Sequence, residues 1–361
     1  MRDKSKIMVM GGYGDVGKRV SKILSRQYPG QVIAAGRNFE KAQALSLETN
    51  RAIIPREVDF NGTWKADLFE DVKIIITCCE LSTNVFAVHC FQAGIHYVDI
   101  TASYQIIRQI KLCDDLAKKN GVIGIISVGL APGISNLLVK QCISAMDFIE
   151  DAEIHLLIGL GEKHGEGSID WMIDNVSRDY MLRVNGINRI TRSFGAGKMV
   201  HFSNELGKHR TYTFNFSDQH VLQESLGIKN VITRICFSSR LVTKILSVLS
   251  ILRVFRLLKY QKVKSIVKHV FKVLAIGDDK YAIKVSVRGK HNDKRLNRAM
   301  TLTGKCEAQA TAEVGALTVK WIMQKDNILS GIYHIEEVIS PNEIINKLKK
   351  TELYTFEGNV C

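Results

Sequence analysis

KIMVMGGYGDVG, at residues 6–17, is a short apolar run that breaks abruptly into glycine. Residues 6–11 read as a buried strand. Residues 15–28 (DVGKRVSKILSRQY) then place Val16, Val20, Ile23 and Leu24 on one face, as a helix packed on a sheet requires. Between them, Gly12-Tyr13-Gly14-Asp15-Val16-Gly17 fits G-x-G-x-x-G. Each glycine in that pattern has a job. Gly12 permits a tight turn, Gly14 lets a diphosphate approach the backbone, and Gly17 lets the helix lie close to the strand. The helix start offers free N–H groups and a partial positive charge. The stretch therefore predicts a strand, a phosphate-binding turn and a helix, the opening of a dinucleotide-binding βαβ unit.

The pattern continues outward. Strands are expected at 31–36 (QVIAAG), 52–59, 73–78 (KIIITC), 96–99 (HYVD) and 122–128 (VIGIISV), and helices at 39–48, 82–94 and 103–120. Strand and helix alternate, and the strands are apolar throughout rather than at every second residue. That combination marks a parallel sheet covered on both faces. After Gly129 the texture changes. Glycine becomes commoner, 281–288 (YAIKVSVR) alternates, 240–275 has helical periodicity, and an Ala-rich helix is expected near 307–324. The fold class is α/β: an N-terminal Rossmann doubly wound parallel sheet at 1–130, a second mixed α/β domain at 131–305, and a C-terminal segment at 306–361 returning to the first. Pro341 starts a helix at 342–350.

The end of the second strand indicates which dinucleotide is bound. A carboxylate there binds the ribose 2′-hydroxyl of NAD. Here the strand runs into Ala35-Gly36-Arg37-Asn38, with no carboxylate and a guanidinium in its place. Arg binds phosphate through two parallel hydrogen bonds, so Arg37 predicts NADP(H) through its 2′-phosphate. Asn38 joins it as a cofactor residue. Asp59, closing the third strand, is expected near the adenine or as a strand-end cap. Thr77-Cys78-Cys79 follow the fourth strand, where the nicotinamide belongs. Cys78 is carried as a cofactor contact, although a small buried filler fits both cysteines better.

Composition narrows the remaining classes. The eight cysteines include no C-x-x-C pair, which argues against a zinc site or a disulfide framework, and no metal is expected. The N-terminus lacks the apolar length of a signal peptide, so a cytoplasmic protein is expected. The net charge is +14, and 225–277 supplies most of the surplus, with eleven Lys or Arg and no acid. The longest uncharged run in its helical core, 245–252, is far short of the roughly 20 residues of a spanning helix. Leu241, Ile245, Val248, Leu252 and Phe255 recur at helical spacing among these cations. The segment reads first as core helices with a solvated basic face. The alternative is a cationic amphipathic helix in weak contact with an anionic membrane surface. Without aromatic platforms or a nucleic-acid-binding motif, no nucleic acid partner is expected.

GGYGDVG at 11–17, AGRNFEKAQAL at 35–45, YVDIT at 97–101, GLAPGISNLLVK at 129–140 and GIYHIEEVISPNEIINKLKK at 331–350 together resemble the saccharopine dehydrogenase-like family. The middle, through TYTFNFSDQHVLQESLGI at 211–228, is more similar to bacterial members of uncertain substrate. The resemblance implies NADP(H)-linked redox chemistry at an amine or imine bond of a small amino-acid-like substrate, and a homodimer formed through the second domain. It also implies that the turn at Pro132-Gly133 lies beside the active site, with Asn136 on the helix that follows. Tyr97 and Asp99, at the carboxyl end of a strand, are candidates to orient substrate or relay a proton. Arg178, Arg192, Arg210 and Arg234 are candidates for substrate carboxylates. His220, behind a Ser217-Asp218 helix start, is a candidate to titrate near neutrality. The rival reading is a non-catalytic NADP(H)-binding regulatory protein that docks through 225–277.

Overall fold

A computed structural model of the chain describes residues 4–60, 62, 64, 66–162, 165–273 and 278–360. The strands, in chain order, are β1 (Lys6–Met10), β2 (Val32–Gly36), β3 (Ile53–Glu57), β4 (Val72–Thr77), β5 (His96–Asp99), β6 (Ile123–Ile126), β7 (Phe148–Ile158) and β8 (Asp179–Val184). They continue with β9 (Ile187–Arg192), β10 (Gly197–His201), β11 (Lys208–Thr213), β12 (Val231–Phe237), β13 (Lys280–His291), β14 (Lys294–Lys305), β15 (Gly331–His334) and β16 (Tyr354–Val360). Two compact units result: one is the chain to Gly133 plus Ala308–Val338, the other Ile134–Glu307 plus Ile339–Cys361.

The first unit is built on a seven-stranded sheet in the order β15-β6-β5-β4-β1-β2-β3, with every pairing parallel. The apolar strands predicted from the sequence are its core. Ile7 to Met10 and Val32 to Ala35 are fully buried, as strands covered on both faces must be. Each Ile, Val or Met among them contributes about 1.5–3 kcal/mol by leaving water. Helix Glu307–Met323 also reaches this unit, carrying buried Ala310, Ala312, Gly315 and Ala316. Small residues let it lie close: a Cβ on Gly315 would come within 2.9 Å of Ile76 Cδ1.

Two details differ from the sequence reading. The expected helix 103–120 is two helices, Tyr104–Lys111 and Asp114–Lys119. The break places the Asp114 carboxylate between the Ile332 amide of β15 and Lys118 Nζ, both at 2.6 Å. The return of 306–361 to the first unit is made by 308–338. Beyond Val338 the chain belongs to the second unit, where β16 pairs antiparallel with β14.

The second unit carries the mixed sheet β10-β11-β12-β7-β13-β14-β16, in which only β12 and β7 run parallel. Its spine is the long hairpin of β13 and β14. Asn292 and Asp293 turn it with positive φ angles of 49° and 60°, the conformation tight hairpins need and these two residues tolerate. A separate hairpin joins β8 and β9.

Candidate active site

The β1–helix turn is built as the sequence predicts. Gly11 adopts a positive φ of 71°. A Cβ on Gly12 would lie 2.7 Å from Val9 O, and one on Gly17 only 2.1 Å from Gly11 O, so both glycines are required by the fold itself. Gly14 differs from them. It is exposed, its φ of −69° suits any residue, and a Cβ there would have 3.2 Å to its nearest neighbour. Folding does not require glycine at 14. Gly14 precedes helix Asp15–Ser25, which has no side-chain cap, and the amides of Asp15, Val16 and Gly17 have no acceptor among the described residues. Asp15 itself turns back to Arg19 at 3.3 Å.

The end of β2 adjoins this turn. Tyr13 packs against buried Ala34, Leu45 and Ile53, and its hydroxyl accepts the Asn38 amide at 2.9 Å. Gly36 makes room for it, since a Cβ there would meet the Tyr13 hydroxyl at 2.6 Å. The Asn38 side chain caps helix Phe39–Glu48 by accepting the Lys41 amide at 2.8 Å. Tyr13 and Asn38 therefore fix the backbone on either side of Arg37. Arg37 is exposed and makes no hydrogen bond or ion pair among the described residues. Asp59 lies two residues past the end of β3, exposed, with its carbonyl accepting Trp64 Nε1 at 2.7 Å.

At the carboxyl ends of β4 and β5, Tyr97 and Asp99 are sealed from solvent. One Asp99 oxygen accepts the Tyr97 hydroxyl at 2.6 Å and Thr77 Oγ1 at 2.8 Å, and the other accepts the Thr101 amide at 2.7 Å. Burial raises both pKa values. This is how a buried carboxyl is satisfied without a cation. The accessible acid beside them, missed in the sequence, is Glu80. It is exposed on the loop after β4, it accepts Thr101 Oγ1 at 3.1 Å, and its pKa is raised by desolvation and by Asp99. The signal was available: Glu80 directly follows Cys78 and Cys79 at a strand end. Cys78 is half-buried, and its amide bonds Met10 O at 2.8 Å. Burial pushes the neighbouring Cys79 thiol up to about 12, which leaves it protonated.

The turn after β6 is irregular. Ser127, Gly129 and Gly133 have positive φ, and the Ala131–Pro132 peptide is cis. In the second unit, Asn136 is buried on helix Ser135–Ile143, where its Oδ1 accepts Ser135 Oγ at 3.2 Å. Arg178 is exposed and without a bond among the described residues, and Arg192 faces Asp179 at 3.7 Å. Arg234 is committed to Glu153 at 3.0 Å, and Arg210 stacks over Tyr212.

His220 departs from expectation. It is half-buried, bonded through Nε2 to Asn215 Oδ1 at 3.0 Å, and burial lowers its pKa to about 4, so it is neutral at neutral pH. Ser217 makes no capping hydrogen bond. Asp218 is buried against Thr233 Oγ1 at 2.6 Å, and burial raises its pKa to about 6. A second acidic cluster also went unread. Glu307 accepts the Gly159 amide at 3.1 Å, while Glu162 accepts the Glu307 amide at 2.6 Å and Cys306 Sγ at 3.1 Å. Burial, then Glu162, raises the Glu307 pKa to about 8.

Residues 7–125 match the model of the saccharopine dehydrogenase NADP binding domain. Residues 7–125 are thus similar to the NADP-binding domain of saccharopine dehydrogenases. The glycine turn lies within that nicotinamide dinucleotide-binding domain, and its uncommitted amides, Gly14 and Arg37 suit that ligand. The solved structure of apo saccharopine dehydrogenase (L-Glu forming) from Saccharomyces cerevisiae aligns over 99% of this chain and 100% of its own, with a TM-score of 0.73 at 12% identity. The TM-score shows a shared fold, and at this identity no more than that. The DAP dehydrogenase of C. glutamicum in complex with DAP aligns over 96% and 99% of the two chains with a TM-score of 0.49 at 13% identity, too distant to carry an argument. No curated protein sequence matches the chain.

Proposed function

We propose that this protein is an NADP(H)-dependent oxidoreductase that acts at a carbon–nitrogen bond of an amino-acid-like substrate. One observation carries the cofactor choice: Arg37, uncommitted, stands at the end of β2 where a carboxylate would select NAD. In this reading the amides of Asp15, Val16 and Gly17 hold the diphosphate, and Arg37 grips the 2′-phosphate with two nitrogens. The cofactor, when bound, supplies or takes a hydride. Choice of the C–N bond rests on the resemblance to the saccharopine dehydrogenase-like family.

The remaining task is a proton at the substrate nitrogen. A group suits it when its pKa lies near the working pH and it can be reached. Glu80 can be reached where Asp99 cannot: it is exposed, and desolvation raises its pKa. Pro132, Gly133 and Asn136 are assigned to the substrate, and Arg178 is the arginine most available for a substrate carboxylate.

NADPH consumption with pairs of amino acids and 2-oxo acids tests the reading. At least one pair is expected to turn over. Glu80→Gln should lower kcat by about a hundredfold with little change in KM, the size expected of a lost general acid or base. Tight NADPH binding with no turnover for any pair would remove the C–N assignment.

A further inference from the structure

Helix Arg240–Ile251 leaves an apolar stripe uncovered. Its buried residues are Thr243, Ser247 and Ser250. Their hydroxyls are used inward: Thr243 Oγ1 accepts the Phe237 amide at 2.9 Å, and Ser250 Oγ donates to Ser193 O at 2.7 Å. Val242, Leu246 and Leu249 are half-buried beside them, while a second set of large apolar side chains points out. Leu241 is 67% exposed, Ile245 49%, Val248 45% and Leu252 66%. Their spacing of four, three and four residues puts them on one stripe. Leu257 and Tyr260 continue the exposed apolar surface beyond the helix. An ordinary surface helix turns such a stripe to the core.

Cations border the stripe. Arg240, Lys244, Arg253, Arg256 and Lys262 are exposed and make no ion pair among the described residues. No acid occurs between 225 and 277. Lys264 and Lys268 are different, since Asp174 and Asp170 hold them at 2.6 Å and fix helix Gln261–Val273 within the unit. Charge decides among occupants. A second copy meeting this face symmetrically would set cations against cations. Nucleic acid would satisfy the cations and leave the leucines in water. An anionic lipid surface satisfies both, with the apolar stripe in the acyl boundary and the basic stems reaching to headgroups. No helix among the described residues is long and apolar enough to cross the bilayer, so the contact lies in the interface plane.

We propose that this face docks the protein on anionic membrane, independently of the proposed chemistry. The test is sedimentation of the full chain with phosphatidylcholine vesicles, with and without phosphatidylserine, using two variants. One replaces Leu241, Ile245 and Leu252 by Ser, the other Lys244, Arg253 and Arg256 by Gln. All six residues are exposed, and an unchanged thermal melt with unchanged NADPH affinity checks folding. Wild type should bind phosphatidylserine vesicles at least about tenfold more tightly than neutral ones, and each variant should lose about tenfold or more. Equal binding to both vesicle types, or full binding by the Ser variant, would overturn the proposal. So would a wild-type dimer, formed without lipid, that the Ser variant abolishes.

Discussion

At the residue scale, the three motif glycines do different work. Gly12 and Gly17 are held by backbone atoms that a side chain would strike, whereas Gly14 has an ordinary φ and only Gly11 O close by, at 3.2 Å. Gly17→Val should therefore destabilise the chain by about 3 kcal/mol or more. Gly14→Val should leave the denaturation midpoint nearly unchanged and abolish dinucleotide binding. Equal stability losses for both would refute the division of roles. The motif was legible because its spacing reflects local sterics. The chemistry of single polar residues was not, because burial decides it. The helix start before His220 suggests titration near neutrality, and burial holds it near 4. Asp218 was read as part of a cap, and it lies fully buried with a pKa of about 6 against an ordinary 3.8. A carboxyl whose folded pKa is raised favours folding only while protonated, so the chain loses stability as pH rises from about 4 through 6. The difference corresponds to about 3 kcal/mol. Asp218→Asn should remove that loss. Urea midpoints should show the variant gaining on wild type at pH 8 and not at pH 4. A gain independent of pH would contradict the assignment.

At the element scale, period and capping signals were read well where they act locally. Pro341 does start a helix, Pro341–Lys349, and a capping box precedes it: the Ser340 amide bonds Glu343 Oε2 at 3.1 Å. Ser340→Ala should lower stability by about 1 kcal/mol in chemical denaturation. No loss would mean that the helix is held by Ile344, Ile345 and Leu348 alone. Where tertiary contacts override local pattern, the sequence misled. The helix at 103–120 is split so that Asp114 reaches β15, more than two hundred residues away in the chain. Apolar periodicity in 240–252 marked a helix correctly and its buried side wrongly, because a period cannot say which face meets the core. Here Thr243, Ser247 and Ser250 do, with Val242, Leu246 and Leu249 half-buried beside them.

At the scale of the molecule, the parallel sheet and the mixed sheet were both legible from strand texture. The closing of the first sheet by β15 was partly so, through the family-like tail. The departure of 339–361 to the second unit was not, since the pairing of β16 with β14 has no local signal. What the assembled first unit offers is a helix start with three uncommitted amides, a glycine at 14 that folding does not require, and an uncommitted arginine at the end of β2. Together these define a seat for a phosphorylated dinucleotide. Isothermal titration of wild type and Arg37→Ala with NADPH and with NADH tests this most directly. Wild type should prefer NADPH, and Arg37→Ala should weaken NADPH by about tenfold to a hundredfold while hardly changing NADH. Absence of heat with either dinucleotide, or equal losses for the two, would contradict the account.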